Sequence, residues 1–208
     1  MKTNPSRSAH EKAGNGMIVH PVTTTDAPAD DAALIEASRH EPERFEEIYD
    51  RHAGEIQRYI ARRLGPDVGD DLMAETFLRA FRQRDRYDST FADARPWLYG
   101  IATNLIRHHR RSEIRFFKAI ARTGVDPAAE SSLEIVADRL SAQAMRKQLA
   151  AALARLNVGE RDVLVLLASG LSYKDVARAL NVTVGTVSSR MNRARKKMRS
   201  ALEESNDG

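Results

Sequence analysis

Positive charge is concentrated in one stretch near the C-terminus of this 208-residue chain. Between Thr183 and Leu202, apolar residues recur at three- and four-residue steps, and arginines and lysines fill most of the remaining positions. On an α-helix this spacing places the apolar side chains on one stripe and the cations on the rest of the surface. One face therefore suits a protein core, and the other suits an anion such as the phosphate backbone of a nucleic acid.

The segment before this helix indicates how it is used. Residues 172–180 have the pattern of a shorter amphipathic helix, and the three residues 181–183 are too few for anything but a tight turn. A helix, a short turn and a basic helix form the helix-turn-helix pattern, in which the start of the second helix enters the major groove of duplex DNA. Ser188, Ser189, Asn192 and Arg193 would reach base edges there, beside Thr186 at the helix entry.

Three further cations of the basic helix, Arg190, Arg195 and Lys196, are predicted to contact phosphates and fix the register on the duplex. The alternative is that these three side chains are only solvated surface charges. The complete set predicted to contact duplex DNA is Thr186, Ser188, Ser189, Arg190, Asn192, Arg193, Arg195 and Lys196.

A second basic cluster follows a predicted helix that carries Trp97 and Asn104. Cations interleaved with aromatic rings suit single-stranded nucleic acid, because bases stack on the rings while the backbone lies in a positive groove. The simpler interpretation of Trp97 is a core residue, and a half-buried ring can serve both purposes. The candidates for this second surface are Tyr87, Phe91, Arg95, Trp97, Asn104, Arg107, His108, Arg110 and Arg111.

Metal chemistry has little support in the sequence. His108 and His109 are adjacent, so their side chains diverge by about 100° on a helix, whereas a metal needs a pair spaced i, i+4. Asp71 and Glu75 do lie one turn apart on one face, which leaves a metal-dependent nuclease as an alternative. Because no further ligand is visibly placed near them, we interpret the pair as part of a protein-binding face and expect no metal and no cofactor.

Helical periodicity runs through most of the chain and predicts an all-α protein. Pro42 opens a long helix that ends at Gly65-Pro66, Asp70 or Asp71 caps the next, and Pro96 begins the one that carries Trp97. The predicted organisation has two small helical domains joined by a flexible linker: a disordered tail at 1–30, a first domain at 31–115, a linker at 116–144 and a helix-turn-helix domain at 145–204.

Within the predicted linker, Phe116 to about Gln143 is expected to be irregular, and within the last domain Met145, Leu149, Leu153 and Leu156 are expected on one inward face. Capping boxes are predicted at Asn157–Glu160 and Ser172–Asp175.

Composition narrows the classes of protein. The chain has no cysteine, which excludes disulfides, thiolate zinc sites and thiol nucleophiles. Its net charge of +4 is small, so it is the clustering of the cations that predicts nucleic-acid binding. No apolar run is long enough for a signal peptide or a membrane span, and we expect a cytoplasmic location.

Four motifs in order resemble those of bacterial RNA polymerase sigma factors of the extracytoplasmic-function (ECF) group. They are FEEIYDRH at 45–52, DLMAETFLRAF at 71–81, PWLYGIATN at 96–104, and the segment from LSY at 171–173 through GTVSSR at 185–190 to RAR at 193–195. The resemblance covers about 31–202 and leaves the tail outside it.

The resemblance implies a role for each domain. The first domain would bind a coiled coil of the polymerase clamp through Asp71, Glu75, Phe77 and Arg79. It would also capture a flipped base of the melted −10 element with Asn104 and the loop from Tyr87 to Arg95. The second domain would read the −35 element as duplex, the linker would thread through the polymerase, and an anti-sigma protein is implied as a regulatory partner.

Two positions depart from the family pattern. Ala74 stands where members often carry Gln, and Ser188 stands where they frequently carry Lys or Arg. Promoter preference therefore does not transfer from the family to this chain.

The leading hypothesis is a dissociable initiation subunit that is not itself an enzyme, directs core RNA polymerase to promoters and assists their opening. A dimeric helix-turn-helix regulator is the alternative, and it would bind operators tightly without polymerase. The nuclease alternative predicts metal-dependent cleavage through Asp71 and Glu75.

Overall fold

The computed structural model describes residues 30–125 and 136–206, except for the side chains of 136–141 and 204–206. Every regular element in those ranges is helical, which confirms the all-α prediction. The α-helices are α1 (Asp31–Ala37), α2 (Glu46–Leu64), α3 (Pro66–Gln83), α4 (Arg95–His108), α5 (Arg110–Thr123), α6 (Val136–Arg155), α7 (Val158–Ala168), α8 (Tyr173–Leu180) and α9 (Val184–Asn206). Short 3₁₀ turns at Pro42–Phe45 and Arg84–Arg86 precede α2 and follow α3. The tail predicted at 1–30 lies outside the described residues except for Asp30, which caps α1.

Glycine and proline set the helix boundaries in the first half of the chain. Gly65 has φ +94°, which ends α2, and Pro66 stands in the first turn of α3. The prediction that Asp70 or Asp71 caps this helix was wrong, because α3 already begins at Pro66. Proline is favoured in a first helical turn, since the backbone N–H groups there have no partner within the helix and proline has no N–H to leave unbonded. The predicted start of α4 at Pro96 is confirmed to within one residue.

The helices form two units, the first of α1 to α5 and the second of α6 to α9. The core of the first helical unit lies between α2, α3 and α4. Ile48, Ile56 and Ile60 of α2 are fully buried, as are Leu98 and Ile106 of α4. These residues recur at helical spacing, so each helix presents one apolar stripe to the others.

The expectation of an irregular segment from Phe116 to about Gln143 was wrong for most of its length. α5 continues through Thr123 to Gly124, whose φ is +72°, and α6 begins at Val136. Phe117 and Ile120 are buried at helical spacing, but the cations around them obscure that short stripe in the sequence.

The inward face predicted for this segment is confirmed at Leu156, which is buried, but not at the predicted residues earlier on α6. Met145 and Leu149 are 59% and 44% exposed, whereas Ala150 and Ala152 are buried. α6 packs against both α5 and α9. Small residues at the contact let helices approach closely, and the larger side chains remain outside.

The second helical unit contains the predicted helix-turn-helix. Both predicted capping boxes are present, Asn157 with Glu160 at the start of α7 and Ser172 with Asp175 at the start of α8. Asn181 adopts the left-handed conformation with φ 50°, which turns the chain from α8 into α9 within three residues. The helix-turn-helix therefore depends on local signals that the sequence displays.

The two units pack against each other. α8 lies on α4, and α6 lies on α5. The backbone carbonyl oxygen of Ala179 comes so close to α4 that a Cβ added at Gly100 would be 2.6 Å from it. Glycine at position 100 is therefore what permits this approach.

Candidate nucleic-acid interface

The basic surface of α9 is exposed as the sequence predicts. Thr183 caps the helix, and its Oγ1 accepts a hydrogen bond from the backbone N–H of Thr186 at 3.1 Å. Val187, Met191 and Ala194 are buried beneath this surface. The predicted contacts that are exposed on α9 are Ser189, Asn192, Arg193, Arg195 and Lys196.

Two of the predicted α9 cations contact the protein itself. The half-buried guanidinium of Arg190 lies against Gly159 of α7, within 3.4 Å of where a Cβ would stand. Arg193 is 3.7 Å from the carboxylate of Glu160, which also accepts a hydrogen bond from Lys197 at 2.7 Å. Burial of Glu160 favours its neutral form, but hydrogen bonds from Lys197 and the Asn157 backbone hold the pKa of this carboxyl below its ordinary value. The charged carboxylate thereby fixes α9 against α7.

Four of the residues predicted to bind a single strand line one cavity of about 330 Å³. Tyr87 and Trp97 stand against each other with ring centroids 5.0 Å apart. Burial raises the pKa of Tyr87 to about 12, and its hydroxyl donates to the carbonyl oxygen of Phe91 at 2.5 Å. Asn104 on α4 completes this set. The cavity therefore combines aromatic rings with an exposed amide, as a pocket for an unstacked base requires.

The basic residues of the same predicted surface fall into two groups. His108, Arg110 and Arg111 are exposed at the junction of α4 and α5. Arg107 and Arg95 instead contact neighbouring elements: Arg107 donates to Asp162 at 3.0 Å, and Arg95 donates to Glu55 at 3.1 Å. Arg95 also reaches the carbonyl oxygen of Ser169 at 3.3 Å.

The second helical unit supplies part of the cavity wall, which sequence reasoning missed. Arg178 and Ala179 of α8 line the cavity opposite α4. The Arg178 guanidinium lies 4.0 Å from the centroid of the Phe91 ring. No local pattern in the sequence predicts that these two distant segments meet.

Sequence reasoning also missed a buried cluster of charges between the units. Arg63 of α2 donates to Asp162 of α7 at 2.7 Å and to Glu113 of α5 at 2.6 Å. Glu113 also accepts from Arg161 at 2.9 Å. The four side chains are at most 1% exposed. The available signal was the position of Arg63, which falls on the buried stripe of α2 with Ile56, Tyr59 and Ile60.

The face of α3 predicted to bind protein is partly exposed. Asp71 is exposed, and Glu75 forms an ion pair with Arg79 at 2.6 Å one turn along the helix. Phe77 is 5% exposed and packs edge-on against Tyr49, with centroids 5.0 Å apart, so it supports this face from the core. Leu78 and Tyr49 are the large apolar side chains that remain exposed there, at 42% and 40%. Among the described residues, Asp71 and Glu75 belong to no group of three or more His, Cys, Asp or Glu side chains that could hold a metal ion, which the nuclease alternative would need.

Comparisons with known proteins identify the family. Residues 48–116 match the family model for sigma-70 region 2, and residues 146–198 match that for sigma-70 region 4. The ECF RNA polymerase sigma factor SigL of Mycobacterium tuberculosis is 33% identical over 180 residues, which covers 86% of this chain and 94% of that protein. The chain belongs to the ECF sigma factors of the sigma-70 family.

Two further relatives agree with this assignment. The RNA polymerase sigma factor NccH of Alcaligenes xylosoxydans is 31% identical over 186 residues, covering 87% of this sigma factor and 98% of its relative. The solved structure of CnrH in complex with the cytosolic domain of CnrY has a TM-score of 0.58 at 25% identity, covering 84% of this chain and 97% of CnrH. The protein is therefore a sigma factor that directs transcription initiation, and its relatives are transcription factors rather than enzymes.

Among the described helices of this sigma factor, none is both long enough and apolar enough to cross a membrane.

Proposed function

We propose that this sigma factor divides promoter recognition between its two helical units and has no enzymatic activity of its own. Residues 31–115 of the first unit take the melted −10 strand, and residues 145–204 of the second unit take the −35 duplex. One unit would read unpaired bases and the other would read base edges in the major groove. The contacts at both sites together would position RNA polymerase on the promoter.

The cavity on α4 supports the −10 assignment. Tyr87, Trp97 and Asn104 line it together, so a flipped base could stack on a ring and bond to an amide. The exposed basic side chains His108, Arg110 and Arg111 continue from the end of α4 and would follow the strand's phosphates.

The exposed start of α9 supports the −35 assignment. Ser189, Asn192 and Arg193 occupy its first turns, where a recognition helix reaches base edges, and Arg195 and Lys196 lie further along for phosphates. Arg190 packs against α7, so its contribution to the duplex is through the position of the helix.

The exposed face of α3 supports a contact with the polymerase clamp. Asp71 is an exposed charge on that face, and the Glu75–Arg79 pair beside it is preformed. In this proposal the buried Phe77 supports the face from the core, and the exposed Leu78 makes an apolar contact with the clamp.

Regulation by an anti-sigma protein in the cytoplasm is part of the same proposal. CnrH, a structural relative, was solved with the cytosolic domain of a partner protein. A partner that covers the α3 face or the α4 cavity would compete with polymerase and promoter by mass action.

Run-off transcription tests the proposal. Purified core RNA polymerase is combined with the full chain on pooled promoter fragments, in parallel with Asp71→Arg and with Glu203→Arg, which makes the same charge change at an exposed site on α9. We expect specific transcripts with the wild type and the Glu203→Arg control, and none with Asp71→Arg. Binding of the chain to duplex DNA that does not depend on core polymerase, together with an absence of transcripts, would instead support the dimeric regulator.

A further inference from the structure

The loop from Tyr87 to Arg95 forms one wall of the α4 cavity. Tyr87, Phe91 and Asp93 of this loop line the cavity together with Trp97 of α4. The loop contains no helix or strand of its own before α4 begins at Arg95. Contacts with neighbouring helices therefore decide where this wall of the cavity stands.

Asp31, the first residue of α1, holds the end of the loop with two hydrogen bonds. Its Oδ2 atom accepts from the backbone N–H of Ala94 at 2.9 Å, and its own backbone N–H donates to the carbonyl oxygen of Ala92 at 3.1 Å. Ala94 is fully buried and directly precedes the first residue of α4. The loop is thereby fixed to α1 at the point where it enters α4.

His52 of α2 holds Asp31 in this position. The Nε2 atom of the ring lies 2.8 Å from Oδ2 of Asp31, and its Nδ1 atom lies 3.2 Å from Oε1 of Glu55. Because an ionised carboxylate only accepts hydrogen bonds, both ring nitrogens must carry a proton to make both bonds. Burial alone would lower the pKa of His52, but the two hydrogen bonds raise it to about 9, in agreement with a charged ring.

Glu55 continues this chain of contacts to the other end of the loop. Its Oε1 atom also accepts from the Nε atom of Arg95 at 3.1 Å. Arg51 of α2 lies 3.3 Å from the second oxygen of Asp31. The charged groups around His52 are therefore two carboxylates that it joins and two arginines that engage the same carboxylates.

His52 acts on the cavity only through these partners. Among the described residues, those that line the cavity do not include His52, which is 8% exposed. A buried charge loses hydration that an apolar side chain would not lose, so this position is a costly way to fill space. Hydrogen bonds have preferred distances and angles, whereas apolar contacts are not directional, so the charged ring provides orientation.

We infer that His52 is a positioning residue for the −10 pocket, where it fixes the loop from Tyr87 to Arg95 through Asp31 and Glu55 and so determines which base the pocket accepts. The inference rests on the proposed function, because it takes the α4 cavity as the pocket for the flipped base. When the loop shifts, the side chains on α4 stay in place but the facing wall changes shape. Discrimination between bases at this pocket should then fall, while recognition of the −35 element should not.

Competitive run-off transcription by the holoenzyme measures this discrimination. A promoter selected from the pooled fragments is prepared with each base at every −10 and −35 position, and each template carries a barcode in its transcribed region. All templates compete in one reaction, and sequencing of the transcripts gives the base preference at each position. The flipped position is the −10 position at which Asn104→Ala changes the preference.

His52→Gln should reduce the preference at the flipped position by about fivefold, the lower end of what one base contact contributes to discrimination. Preferences at the −35 positions should remain those of the wild type. His40→Gln is the matched control, because His40 is exposed just after α1 and the same substitution there should change neither preference.

The failure of this inference is distinguishable from that of the proposed function. If Asn104→Ala changes the −10 preference and His52→Gln does not, the positioning role is overturned and the proposed function stands. An equal loss of preference at the −10 and −35 positions would also overturn it, since general unfolding has that effect. If the wild type yields no transcripts, or Asn104→Ala leaves every −10 preference unchanged, the proposed function fails as well.

Glu55→Gln provides a test that does not require His52→Gln to fold. A neutral His52 ring can donate to Asp31 and accept from the introduced amide, so this variant does not need the charged ring. As the pH rises from about 7 through the pKa of His52 at about 9, the wild-type preference at the flipped position should fall at least about twofold. The preference of Glu55→Gln should stay constant.

Loss of polymerase activity at alkaline pH does not affect this comparison, because the preference is a ratio within one reaction. A wild-type preference that is independent of pH would contradict the positioning role. The same pH dependence in Glu55→Gln as in the wild type would contradict it too.

Discussion

Asp162 of α7 lies 2.7 Å from the guanidinium of Arg63 on α2, 99 positions away in the chain, and both side chains are fully buried. The pair joins the two helical units at a point where an apolar contact would be expected. Each of the two charges has a second partner: Arg63 also donates to Glu113, and Asp162 also accepts from Arg107.

Replacing Arg63 by Met should reduce the free energy of unfolding by about 3–5 kcal/mol, because two buried carboxylates each lose a donor. Urea denaturation followed by circular dichroism measures the change. The double variant Arg63→Met with Asp162→Leu should recover part of the loss, since it removes the buried carboxylate of Asp162, whereas Glu113 still lacks the Arg63 donor. A single variant as stable as the wild type would show that the pair is hydrated in solution.

His52 predicts a dependence of stability on alkaline pH. Its ring lies 2.8 Å from Asp31 and 3.2 Å from Glu55; burial favours the neutral ring, but these hydrogen bonds raise the pKa of His52 to about 9. Because the pKa of His52 is raised in the folded state, the charged ring stabilises the fold fully below about pH 6.5. This contribution is lost as the pH rises through about 9.

We expect the free energy of unfolding to fall by about 1–2 kcal/mol over that window, a value reduced from full linkage because Glu55, one of the two partners of His52, is 23% exposed. Urea titrations at pH 6, 7.5 and 9 measure it, with His52→Gln as the control. The loss should be absent from that variant, and an equal loss in both proteins would assign it to other groups.

Asn181 sets the sharp turn between α8 and α9 with φ 50°. Asn181→Gly should leave stability within about 0.5 kcal/mol, whereas Asn181→Val should lower it by about 1–2 kcal/mol, because a β-branched residue is strained in the left-handed region. Thermal unfolding of the two variants compares them directly. Equal melting temperatures would mean that the turn relaxes to another conformation.

Lys196 of α9 is exposed and has the position of a phosphate contact. Lys196→Ala should weaken binding to promoter duplex and make the plot of log affinity against log salt less steep by about 0.9, because one fewer phosphate is neutralised. Anisotropy titrations between low and moderate salt measure the slope. Asn192→Ala is the comparison, since a base contact should change sequence preference and leave the slope unchanged.

Local signals were sufficient for most of the helices and for the family. Gly65-Pro66, Pro96 and the capping boxes at Asn157 and Ser172 act within one helical turn, so they are legible in the sequence. The apolar stripe of α9 is likewise a local pattern, and Val187, Met191 and Ala194 on it are buried, although Val184 at its start is exposed.

The helices α5 and α6 show where local signals were insufficient. Phe117 and Ile120 are the buried apolar pair of a short, strongly basic helix, and α6 turns Ala150 and Ala152 inward in place of Leu149. α6 packs against both α5 and α9, so the face that it turns inward is decided by how the helices pack and not by its own apolar pattern.

The sequence by itself determined that the chain is helical, that it carries a helix-turn-helix with a basic second helix, and that it resembles ECF sigma factors. Only the tertiary structure decided that α8 covers the α4 cavity and that Arg63, Glu113, Arg161 and Asp162 are buried together. Helix periodicity and capping are interactions within a few residues, whereas pairing of charges from distant helices depends on how whole helices pack.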